Sequence, residues 1–182
     1  LYRVRVGDSM LSNTSGPQPI NLVFHLDFEG DLADSSAVMG TTAVVPDGES
    51  APTLVIDAYR GEQAARFDKD ATQALQHDDH PALNPGDGLT IMLWMKPDYW
   101  PGGNRVVLRK GPSDIPSYAL GIHSSSLRFQ VGQWNSVSFT PPAEDRWSHV
   151  ALTFNGQTMR AYIDGAEVAA SAMMFLLPGG VA

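Results

Sequence analysis

Hydrophobic residues in this chain recur mostly at every second position, in short runs separated by Gly, Pro, Asn, Asp and Ser. A period of two places alternate side chains on opposite faces of an extended strand, so the pattern predicts β-structure along the chain. The stretch from Asp145 to Ser171 carries it most clearly. Val150, Leu152 and Phe154 alternate with Ala151 and Thr153, and Met159, Ala161 and Ile163 alternate with Thr158, Arg160 and Tyr162. Asn155-Gly156 separates these runs and Asp164-Gly165 follows the second; both pairs tolerate the positive φ angles of a type I′ turn. A three-stranded antiparallel meander is predicted.

The same pattern marks earlier strands. Leu1 to Val6 alternates apolar and basic residues and breaks at Gly7-Asp8. It reads as an edge strand or as the tail of a preceding domain, because Ser12 to Pro19 has the composition of a linker. A boundary near Ile20 then divides residues 1–20 from a domain over 21–182. Leu22, Phe24, Leu26 and Phe28 share one side of the next predicted strand. Residues 40–60 fit one or two short strands around Pro46-Asp47-Gly48, and Ala64 to Asp68 fits another. Leu89 to Lys96 is apolar on both faces, as expected of a strand covered on both sides. Arg105–Arg109, Tyr118–His123, Leu127–Val131 and Ser136–Thr140 complete the set. So many short strands at close spacing predict an all-β sandwich.

Composition narrows the classes. The 182 residues are 43% hydrophobic, enough for one domain with a core plus an appendage. Twelve basic residues against 20 acidic ones give a formal charge of -8, and the basic residues are scattered, which argues against a nucleic-acid partner. No run approaches the roughly 18 apolar residues of a membrane span. The absence of cysteine removes disulfides and thiolate metal sites. Residues 1–20 lack a basic start followed by an apolar block, and the opening on Leu1 within a strand-like run points to a processed product or a segment of a longer polypeptide.

Trp147-Ser148-His149-Val150 followed by Tyr162-Ile163-Asp164-Gly165 resembles the laminin-G-like domains of the concanavalin A-like lectin/glucanase superfamily. Phe24-His25-Leu26-Asp27-Phe28 with Asp34-Ser35-Ser36, Gly61 to Phe67, and Leu89 to Pro97 match in the same order. The resemblance covers about Asn21 to Ser171. It implies a two-sheet antiparallel jelly-roll sandwich, an extracellular or surface location that includes a virion surface, and a glycan, protein or surface ligand, often with a structural Ca2+. Members usually continue past the meander with further strands, the last returning beside the first. Here Phe175 to Ala182 follows instead, so the sandwich lacks its last strands unless another segment, such as Met173 to Leu177, fills the place. An unfilled place would favour pairing with a neighbouring chain.

Several clusters carry candidate chemistry. Glu29 to Ser36 gathers carboxylates and small residues in one loop, so Asp31 and Asp34 are the candidate ligands of a hard cation, the alternative being side-chain-to-backbone turns. A late acidic residue that often completes the family's calcium site is missing. His77-Asp78-Asp79-His80 reads as a solvated loop more than a transition-metal site, because neighbours on an extended chain point to alternate sides. Pro97 to Asn104 sets Tyr99 and Trp100 in a Pro/Gly loop, where rings can stack on a sugar while Asp98 and Asn104 bond hydroxyls. Trp134 is a second such aromatic. The alternative for both tryptophans is packing back over a sheet.

Catalysis on this fold needs two positioned carboxylates. The Glu-x-Asp-x-x-Glu run of the related glucanases is absent, and Glu29, Glu49, Glu62, Glu144 and Glu167 fall in turns or at strand ends. No nucleophile elbow, phosphate loop or zinc-protease motif is present. The sequence therefore favours a non-catalytic recognition domain for a glycan or a surface. An assembly module completed by a neighbouring subunit is the alternative, and a glycoside hydrolase or lyase the least favoured reading.

Overall fold

A computed structural model describes residues 2–6 (backbone only), 22–36, 38–57, 59, 61–68, 70–84, 86, 88–113 and 116–173. The predicted linker over Ser12–Pro19, the boundary near Ile20 and most of the Met173–Leu177 segment lie outside them. Eleven strands are described: β1 Tyr2–Val6, β2 Thr53–Val55, β3 Ala64–Phe67, β4 Leu89–Pro97, β5 Asn104–Lys110, β6 Tyr118–His123, β7 Ser126–Val131, β8 Asn135–Phe139, β9 Ser148–Phe154, β10 Thr158–Ile163 and β11 Ala166–Ala172. The one helical element among the described residues is a 3-10 turn at Pro81–Leu83. No helix there is long and apolar enough to cross a membrane.

The architecture is a two-sheet antiparallel β-sandwich of the jelly-roll kind. One sheet has the order β11-β10-β9-β4-β1-β3-β2 and the other β5-β6-β7-β8. The chain forms two compact units. The first takes Leu1–Asn84, Met92–Trp100 and Pro142–Val150; the second takes Pro85–Ile91, Pro101–Pro141 and Ala151–Ala182.

In the first unit the apolar alternation of residues 22–28 finds its core, since Leu26 and Phe28 are buried with Ala43 and Ala65 and partly covered by Phe24, Leu32, Leu54, Phe67 and Leu75. The predicted strand, however, is not a ladder. Only Leu26 bridges Asp34, and Phe28 turns the chain at φ 60°. Side chains take the place of strand partners: the His25 N–H donates to Asp34 Oδ1, and the Ser36 hydroxyl donates to the Val23 carbonyl. β1 sits between β3 and β4 and pairs with both, Val4 standing opposite Ala65 on one side and Met95 on the other. The alternation over Tyr2–Val6 thus belongs to a strand paired on both sides, not to an edge strand.

In the second unit, Leu120, Ile122, Leu127, Phe129, Val131, Val137 and Phe139 turn inward from β6, β7 and β8. The period of two read in the sequence holds through all three strands. β8 packs against β10 and β11, whose buried residues are Met159 and Ala161 of β10. The two meander turns differ from each other. Asp164 and Gly165 both have positive φ, 51° and 85°, as a type I′ turn requires. At Asn155-Gly156 only the glycine does. Asn155 Oδ1 instead accepts the Gln157 and Thr158 N–H groups at 3.1 and 2.8 Å, which builds a three-residue loop held by a side chain.

Candidate functional site

The loop that carries Asp31 and Asp34 is organised around one buried carboxylate. Asp34 is 7% exposed. Its Oδ1 accepts the backbone N–H groups of His25 and Ser36, at 2.7 and 3.0 Å. Its Oδ2 accepts the Ser36 hydroxyl at 2.7 Å and the Gly40 N–H at 3.0 Å. Burial by itself raises the carboxyl's pKa, but the Ser36 hydroxyl and the three backbone donors outweigh it and hold the group below its ordinary value. Asp31 is exposed, and its Oδ1 accepts the Ala33 N–H in a local turn. No group of three acidic or histidine side chains suited to a metal occurs among the described residues.

A cation at Asp34 would therefore have to displace donors that are already in place. The melting midpoint is expected to be the same in chelator and in millimolar calcium. A midpoint raised by calcium would assign the loop a bound cation, since a ligand of the native state stabilises it. In the His77–His80 loop, His77 Nε2 bonds the Thr41 hydroxyl and Nδ1 the Asp78 carbonyl, while His80 Nδ1 accepts the Ala82 N–H that opens the 3-10 turn.

The residues expected to hold a ligand divide between the two units. Asp98, Tyr99 and Trp100 belong to the first and Asn104 and Trp134 to the second. Trp100 is held down at both of its N–H groups: the backbone donates to Glu144 Oε1 at 2.8 Å and the indole to the Pro142 carbonyl at 2.7 Å. Tyr99 is half-buried, and Asp98 lies 3.9 Å from Arg66 in an ion pair. Trp134 is different, being 71% exposed in the β7–β8 turn.

That turn belongs to a sheet whose outer face forms an open groove of about 270 Å³. With Leu120 and Ile122 turned inward, Ala119 and Gly121 of β6 give the groove a floor of small residues. Asn104, Arg105 and Arg109 of β5, His123 of β6, and Arg128 and Gln130 of β7 surround it. The register explains the grouping: Arg128 stands opposite Gly121, Gln130 and Arg109 flank Ala119, and Asn104 faces His123.

A bulge between Val106 and Leu108 curls β5 over this floor, and the Arg105 carbonyl oxygen comes within 2.5 Å of where a Cβ on residue 121 would be. Gln130 joins groove to turn, its Nε2 donating to the carbonyls of Gly132 and Gln133 beside Trp134. Arg105 donates to the Asn104 carbonyl, whereas Arg109 and Arg128 make no ion pair among the described residues. Of these groove residues only Asn104 was singled out in the sequence. The arginines stood at alternate, outward strand positions, which marks a face without showing what gathers on it.

A family model described as the concanavalin A-like lectin/glucanases superfamily, of laminin-G type, matches residues 69–180. Among solved structures, a chain from work on botulinum neurotoxin type C, whose cell entry depends on interaction with two ganglioside molecules, shares the fold at a TM-score of 0.52 and 14% identity. The alignment covers 80% of this chain and 37% of that one. No curated protein matches at a significant level.

Proposed function

Since the chain belongs to the concanavalin A-like lectin/glucanase superfamily, we propose that it is a non-catalytic recognition domain that binds glycan as part of a larger secreted or surface protein. The observation that carries this reading is the open groove on the outer face of β5–β8, a sheet whose β7–β8 turn carries the exposed ring of Trp134. A shallow floor of small residues suits the flat body of a sugar. Asn104, Gln130 and the arginines supply donors for its hydroxyls, and an exposed indole supplies a stacking surface at low entropic cost. The ganglioside interaction of the neurotoxin that shares the fold supports a glycan over other ligands.

Lack of catalysis has support of its own. No acidic residue is among the described residues that line the groove, so the paired carboxylates of a glycosidase are missing from it. Elsewhere three of the five glutamates have structural partners: Glu29 accepts the Glu62 and Gln63 N–H groups, Glu144 accepts that of Trp100, and Glu167 pairs with Arg160 at 3.0 Å.

Trp134→Ala tests the reading. The exposed ring contributes little to the core, so the variant is expected to keep the wild-type melting midpoint and to lose about tenfold or more in retention on a glycan array, in line with the worth of an aromatic stacking contact. Undiminished retention by the variant would remove the groove and its turn as the binding site.

A further inference from the structure

Among the described residues, the charged side chains that line the groove are opposite in sign to the protein's net charge. The chain carries 20 acidic against 12 basic residues, yet Arg105, Arg109 and Arg128 line one face and no acid is found among the described residues around it. In a protein of net negative charge, three guanidinium groups set close together repel one another, and nearby carboxylates would ordinarily neutralise them. Arg109 and Arg128 lack that neutralisation among the described residues. Arg128 also keeps a buried Nε–H with no hydrogen-bond partner, an arrangement that costs stability unless something else accepts the bond.

The planar fork of arginine matches the paired oxygens of a carboxylate, sulfate or phosphate, and such charge-assisted bonds are stronger than neutral ones. We infer that the β5–β8 groove selects an acidic glycan, in which a carboxylate or sulfate ester is held between Arg109 and Arg128 while the neutral ring lies over Ala119 and Gly121. This rests on the glycan reading above and adds the charge of the ligand to it. The guanidinium of Arg128 donates to the anionic oxygens, Arg109 closes from β5, and Asn104 and His123 meet the sugar at the far end of the groove.

The test measures binding of the full chain to lactose, sulfated lactose and sialylated lactose at low and high salt, with poly-glutamate as a competitor. The acidic sugars are expected to bind about ten- to a hundredfold more tightly than lactose, with a preference that shrinks as salt rises. Arg128→Gln and Arg109→Gln should each abolish most of that preference, lowering affinity for the acidic sugars far more than for lactose. Arg128→Lys, which keeps the charge but not the fork, should restore part of it.

Equal affinity for all three sugars, unaffected by the arginine variants, would overturn the charge inference and leave glycan binding standing. Binding to none of the three, alongside full array retention by Trp134→Ala, would remove both. Competition by poly-glutamate as effective as that of sulfated lactose would also overturn it, by showing that charge alone is recognised. A preference retained in Arg128→Gln at a wild-type melting midpoint would place the anion elsewhere.

Discussion

Replacing Gly121 by alanine is expected to abolish binding in the β5–β8 groove and to destabilise the chain by about 1–3 kcal/mol, the usual cost of forcing an extra methyl into packed structure. The backbone angle of Gly121 is open to any residue, so the cost is steric. An added Cβ would lie 2.5 Å from the Arg105 carbonyl oxygen and near the Arg105 carbonyl carbon and Val106 Cα as well. These are backbone atoms and cannot rotate away. β5 would have to move, and with it the bulge that holds Arg105 and Arg109 over the floor. Gly88 offers a control, because its added Cβ would stand 3.3 Å from the Phe154 carbonyl and need only a small adjustment. Calorimetry should show a midpoint lowered by about 2–12 °C for Gly121→Ala. A variant that melts and binds like wild type would show that β5 yields without consequence for the site.

The other large effect is expected at Asp34. Asp34→Ala removes the acceptor for four donors at once and leaves the His25, Ser36 and Gly40 N–H groups and the Ser36 hydroxyl to find other partners in a loop with little water. Hydrogen bonds to a charged acceptor are each worth about 1.5–3 kcal/mol and do not add, so a loss of about 3 kcal/mol is expected, enough to lower the midpoint by about 6–12 °C. The effect has a pH signature. The carboxyl titrates below its ordinary value of 3.8 in the folded chain, so its contribution is complete above that value and is lost as pH falls through the lower folded one. The gap between wild type and Asp34→Ala should therefore be constant at neutral pH and narrow only in strong acid. A gap that closes already near pH 6 would assign the stabilisation to a different group.

Much of the sandwich was legible in the sequence for one physical reason: a strand with one buried face must alternate, and β6, β7 and β9 do so without interruption, while β10 does so as far as Ala161, where its register with β11 shifts. Alternation reports which face is buried and is silent about partners. For that reason Leu22–Phe28 could be assigned its core side chains but not its bonding, which runs to the Asp34 and Ser36 side chains instead of to a neighbouring strand. For the same reason Leu1–Val6 could be recognised as a strand while its two neighbours, β3 and β4, remained open.

The candidate site was less visible still. Trp100 and Trp134 were named on the same reasoning, each with packing over a sheet as its alternative, and nothing local separates them: Trp134 stands exposed, whereas Trp100 is tied back by Pro142 and Glu144, more than forty positions along the chain. The groove depends on a bulge in β5 and on the register of three strands. Neither leaves a local mark on the residue pattern.

The position of β1 between β3 and β4 also constrains how the chain folds. The register of β1 with β4 joins Tyr2 to Pro97 and Val6 to Leu93, so the two strands meet across a long stretch of intervening chain. During synthesis β1 must wait for β4 to be made before its second edge can be covered. Closing so long a loop is slow, and contacts of this separation form late relative to local hairpins such as β9–β10–β11. Refolding is thus expected to begin at the meander and to end with the docking of β1, so that a strand enclosed by two others is the last to commit to the sheet.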